Sequence, residues 1–146
     1  MDRECSAFKV RRLSRQVTQF YDQALRAEGL RSTQFHLLTV VGEEGPVTIG
    51  QLAERVGAER TSVTRAVQAV ETGGWVAVGP GPDGRSKSVR ITLAGRALLD
   101  RVEPVRKKQE AAFRRALEGV TSERFLDDLV HAADRLQDLI EQGDEA

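Results

Sequence analysis

Apolar residues recur along this chain at two spacings, and the change from one to the other divides it. Leu13, Val17, Phe20, Tyr21, Ala24 and Leu25 form one stripe of a 3.6-residue period, which predicts a first helix from about Ala7 to Ala27. Gly29 stands where a left-handed helix cap belongs. Ser32 is placed to cap a second helix carrying Phe35, Leu37, Leu38, Val40 and Val41, and the turn formers of Gly42–Pro46 break it.

A third helix opens at Thr48, whose partner three residues on, Gln51, completes a capping-box pattern. Its buried side is Ile49, Leu52, Ala53 and Val56, and Gly57 ends it. The fourth helix spans about Glu59 to Glu71. At 100° per residue, Val63, Ala66, Val67 and Val70 fall on one side, with Thr61, Thr64, Arg65, Gln68 and Thr72 on the other. An outward face of Thr, Arg and Gln suits groove contacts better than simple solvation. After Gly73-Gly74 the period shortens to that of strands, Trp75–Val78 and Ser88–Ile91. The Gly79–Gly84 stretch between them is rich in turn formers and too long for a tight hairpin, so its tip is expected to project and move.

Helical spacing returns from Leu93 to about Leu117, with Pro104 expected to kink it, and again from a cap at Thr121 or Ser122 through Ile140. The predicted fold is mainly α with a small β-hairpin wing (α+β): a winged helix–turn–helix with N- and C-terminal dimerisation helices. Residues 31–96 read as the DNA-binding region. Residues 1–30 and 97–146 read as a helical dimerisation region, because the terminal helices carry more apolar surface than the small winged part can cover.

Charge sharpens this picture. The chain is neutral overall, with 22 basic and 22 acidic residues. From Arg55 to Arg96, however, seven basic residues stand against three acidic, and from Glu118 onward nine acidic stand against two basic. Screening limits phosphate attraction to about 8 Å at physiological salt, so the local excess is what counts. The single cysteine excludes an intrachain disulfide and a cysteine-rich metal site, which fits a reducing cytoplasm. No apolar run approaches the roughly 18 to 20 residues of a membrane span, and Met1 to Arg12 lacks the apolar core of a signal peptide.

With these elements in order, several motifs become telling: Gln34–Leu38, Ile49–Val56, Thr61–Arg65, Glu71–Val76, Asp83-Gly84-Arg85 and Ile91–Arg96. Each is weak alone; as an ordered set over nearly the whole chain they resemble the multiple-antibiotic-resistance regulator (MarR) family. The resemblance implies a homodimeric winged-helix transcription factor on a pseudo-palindromic operator, usually a repressor relieved by a small ligand or an oxidant. It places Arg60, Thr61, Ser62, Thr64, Arg65 and Gln68 at the DNA, with Arg65 suited to a bidentate contact to guanine. It sends Arg85 into the minor groove, with Lys87 on a phosphate. It gives Asp83 the task of orienting an arginine and so supporting the wing. Many relatives supply that arginine at the position of Ala69; here Arg65 or Arg85 would have to substitute.

Two switching inputs compete. A small aromatic, anionic effector would lodge near helices 1, 2 and 5, where Tyr21, His36 and Trp75 are the candidate residues. Alternatively, Cys5 would sense organic peroxide, with Arg3 or Lys9 as the nearby cations that could assist it. In the peroxide-sensing branch one supporting tyrosine aligns with Tyr21, but the reactive cysteine aligns with Ala7, about 200° around a helix from Cys5, and the second tyrosine aligns with Arg11. Constitutive binding without an effector is the third possibility. The sequence offers no cofactor motif, metal-ligand spacing or nucleophile motif, and His36 and His131 lie on separate helices, so an enzyme is not expected. A winged helix used for protein contact would predict an acidic or apolar fourth helix.

Overall fold

A computed structural model describes residues 5–121 and 124–144. The chain divides into two compact units between Gln109 and Glu110. In the first, helix α1 (Ser6–Leu25) runs into a 3-10 turn, Arg26–Glu28, and ends at Gly29 with φ 70°. Helix α2 (Ser32–Glu44) follows, then strand β1 (Val47–Thr48), helices α3 (Ile49–Val56) and α4 (Arg60–Thr72), and strands β2 (Val76–Pro80) and β3 (Lys87–Ile91). Helix α5 (Leu93–Leu117) crosses the division and continues through Pro104, whose missing N–H leaves the Asp100 carbonyl without its helical donor. Helix α6 (Phe125–Asp144) lies in the second unit. Ser122, one of two expected caps for α6, lies outside the described residues, as does Arg3.

The mainly helical chain carries a three-stranded antiparallel sheet of order β1-β3-β2. Val47 and Val78 both pair with Val89, so three valines form one apolar row across the sheet. That row joins Leu37, Leu38 and Val41 of α2, Leu52 of α3, Val63, Val67 and Val70 of α4, and Leu98 and Val102 of α5 in one buried core. Each large apolar side chain removed from water there contributes about 1.5 to 3 kcal/mol. This core fixes α3 and α4 against α2 and the sheet.

Several local expectations change on inspection. Ser32 does not cap α2; it is the helix's first residue, and its N–H donates to Asp22 Oδ1 of α1 at 2.7 Å. Arg31 just before it donates its N–H locally to Gln34 Oε1 at 3.0 Å, whereas the Ser32 N–H is met from ten residues away, which no local pattern reveals. β1 has no signature of its own in the sequence, since two residues beside a Gly-Pro turn carry no period. β2 begins at Val76 rather than Trp75 and runs on to Pro80, and β3 starts at Lys87, so the loop shortens to Gly81–Ser86.

Exposed apolar side chains concentrate on the terminal helices. Phe8 and Val10 of α1, and Val130, Leu136, Leu139 and Ile140 of α6, are each more than half exposed.

Candidate nucleic-acid interface

The helix–turn–helix is built by caps that the sequence announces. Thr48 Oγ1 accepts from the Gln51 N–H at 3.2 Å, and Gln51 Oε1 accepts from the Thr48 N–H at 2.9 Å, so α3 starts with a closed capping box. Gly57, at φ 63°, ends it in the left-handed region, with its N–H turned back to Ala53 and Glu54. The chain then re-enters a helix at Arg60. Val63, Val67 and Val70 anchor α4 in the core, which leaves Thr61, Ser62, Thr64, Arg65 and Gln68 exposed together on its outer face.

Some of these groups are chemically committed. Thr64 Oγ1 donates to the Arg60 carbonyl at 2.8 Å, so toward a base edge it can only accept, as from an adenine or cytosine amino group. Arg60 is exposed, but its guanidinium lies back over α3: a Cβ at Gly50 would sit 2.8 Å from Nη2. Arg55, in contrast, is paired with Glu44 at 3.2 Å.

The wing tip is organised around one carboxylate. Asp83 Oδ1 accepts from the Ser86 hydroxyl at 2.6 Å, the Ser86 N–H at 2.8 Å and the Arg85 N–H at 3.0 Å. The same hydroxyl bond, then these two backbone donors, lowers the Asp83 pKa from 3.8 to about 2. Among the described residues no guanidinium reaches this carboxylate; neither Arg65 nor Arg85 fills the place expected of an arginine partner. Gly81 N–H donates to the Ser86 carbonyl at 2.7 Å, closing the loop from its other side. Arg85 and Lys87 are exposed.

The hairpin, α4 and α5 meet at one joint. Thr92 Oγ1 donates to the Gly74 carbonyl at 2.7 Å and accepts from the Gly95 N–H at 3.0 Å, while the Thr92 N–H donates to the Trp75 carbonyl at 3.0 Å. Gly95 has no room for a side chain, since a Cβ there would overlap the Trp75 carbonyl oxygen. The Thr-x-x-Gly spacing of residues 92–95 is therefore a physical requirement of this packing.

A cleft of about 670 Å³ opens between α2 and α5, with Phe35, Thr39 and Leu99 beside Arg96, Glu103 and Arg106. Arg106 forms a two-pronged pair with Glu103 at 2.7 Å, and this bond leads the causes that lower the Glu103 pKa from 4.5 to about 2. None of the residues expected at an effector pocket, Tyr21, His36 and Trp75, lines this cleft. Tyr21 is half-buried on α1, its ring edge-on to Phe20 at 5.5 Å; His36 is exposed; Trp75 packs over Gly73. Cys5 is exposed, just before α1. The charged members of the cleft escaped sequence reasoning because they are ordinary surface residues until α2 and α5 pack.

The α3–α4 pair with its hairpin defines a winged helix–turn–helix. A family model described as the MarR family matches residues 28–86. The chain also resembles the M. tuberculosis transcriptional regulator MosR in its complex with DNA, at 34% identity and a TM-score of 0.82, over 93% of this chain and 98% of that one. This chain belongs to the MarR family. Two curated relatives are similar: the HTH-type transcriptional regulator YcgE of Bacillus subtilis is 32% identical over 57% of this chain and 54% of its own. The HTH-type transcriptional repressor IacR of Pseudomonas putida is 27% identical over 75% of this chain and 65% of its own. The chain thus spans between half and two thirds of these curated relatives.

Proposed function

We propose that this chain is a sequence-specific, double-stranded-DNA-binding transcriptional repressor that works in the cytoplasm as a homodimer on a pseudo-palindromic operator. The observation that carries the reading is the outer face of α4, where Thr61, Ser62, Thr64, Arg65 and Gln68 stand exposed above the buried valines. Arg85 and Lys87 on the wing and Arg60 at the start of α4 add the positive charge that phosphates and a narrow minor groove attract. MosR, solved with DNA, and the repressor IacR support the assignment. Residues 31–96 would carry the DNA contacts. Residues 1–30 and 97–146 would form the dimer, a division supported by the exposed apolar side chains of α1 and α6.

An effector that releases the DNA is part of this reading. The α2–α5 cleft supports it, because its volume suits a small molecule and it combines apolar walls with Arg96. Oxidation of the exposed Cys5 is the alternative input. The experiment is a binding titration on duplexes selected from a random pool, repeated across salt concentrations and with aromatic acids or organic peroxide added. Tight, salt-dependent and sequence-dependent binding supports the proposal; an affinity that ignores both sequence and ionic strength refutes it. Release by an aromatic acid supports the cleft, and release by peroxide that Cys5→Ser abolishes supports the thiol.

A further inference from the structure

Arg85 leaves a six-residue loop whose own bonds converge on one neighbour. Ser86 contributes its hydroxyl and its N–H to Asp83, and its carbonyl to Gly81. Gly84, at φ 68°, and the Gly84 N–H bond to the Gly81 carbonyl at 3.1 Å complete the turn. A Cβ at Gly81 would overlap Ser86 Oγ and lie 2.9 Å from its carbonyl oxygen, so the two sides of the loop touch at this residue. Pro82 to Arg85 are exposed, whereas Ser86 is half-buried.

We propose that Ser86 is a positioning residue for DNA binding: its hydroxyl, through Asp83, fixes the backbone of Arg85 before DNA arrives. The inference rests on the reading that the wing meets DNA. A carboxylate holding three donors presents the Arg85 N–H in one orientation, and the guanidinium then searches side-chain rotamers rather than loop conformations. The hydroxyl bond is the shortest of the three and has the charged acceptor that strengthens such bonds. The depressed Asp83 pKa, with this bond as its first cause, agrees with that geometry.

The test compares wild type, Ser86→Ala, Arg85→Ala and the double variant on a duplex selected by the wild-type protein from a random pool. Fluorescence anisotropy reads affinity, and the carboxyl carbon resonance of Asp83 is followed from pH 6 to 3 by NMR. Ser86→Ala should weaken binding about 5- to 10-fold, as expected for one lost ordering hydrogen bond. It should add nothing in the Arg85→Ala background, and Asp83 should begin to protonate at higher pH. Wild-type affinity in Ser86→Ala, an equal loss in the Arg85→Ala background, or an unmoved Asp83 titration would each overturn the proposal. An Arg85→Ala variant that binds like wild type would instead sink the underlying reading of the wing.

Discussion

Replacing Thr92 by valine keeps the side chain's shape and deletes one hydroxyl, which makes it a sharp probe of the joint between α4, the hairpin and α5. That hydroxyl serves two elements at once, donating to Gly74 at the exit of α4 and accepting from the Gly95 N–H in the first turn of α5. Loss of a helix N-cap costs about 0.5 to 2 kcal/mol. Loss of the second bond costs about 0.5 to 1.5 kcal/mol, and less where water can replace the partner. Thr92 is half-buried, so the lower half of the combined range applies, about 1 to 2 kcal/mol. For a chain of this size that is a fall in Tm of roughly 2 to 8 °C. Urea unfolding at fixed protein concentration measures it, with an unchanged slope showing that the folded state is otherwise intact. Thr92→Ser, which keeps the hydroxyl, should fall by less than half as much. A valine variant as stable as the parent, or a serine variant as unstable as the valine one, would refute the reasoning.

Other consequences can be checked separately. Arg65→Ala should cost about 1 to 3 kcal/mol of operator affinity and relax preference at one base pair; an unchanged preference across a mutated operator series would exclude a base-reading role. Leu139, 63% exposed on α6, should when changed to Glu yield monomers by analytical sedimentation, and an unaltered dimer would remove α6 from the interface. Because the Glu103 pKa is depressed to about 2, its ion pair contributes stability above about pH 4.5 and loses it as pH falls through 2. The stability difference between parent and Glu103→Gln should therefore be level from pH 8 to 5 and shrink toward pH 2; a difference that grows on acidification would contradict this assignment.

The helix–turn–helix was legible because its signals are local. Thr48 and Gln51 sit three residues apart, Gly57 marks a left-handed stop, and the valine spacing of α4 dictates which face remains outside. What the pattern missed depends on chain segments meeting in space. Asp22 meets the Ser32 N–H from another helix, β1 exists only because Val89 offers it a partner, and the α2–α5 cleft has no sequence signature. The Asp83 bonds are an intermediate case. An Asp followed two and three residues later by backbone N–H donors is a recognised turn habit, and the expectation of an arginine partner obscured it.

The close approach of Arg60 to Gly50 leaves room for adjustment. A Cβ at position 50 would press on the far end of a flexible arginine, so it would displace the guanidinium rather than the backbone. Alanine at position 50 would therefore redirect a cation beside the outward face of α4 at little cost to folding. Gly50 is thus the position that lets the Arg60 guanidinium rest over α3.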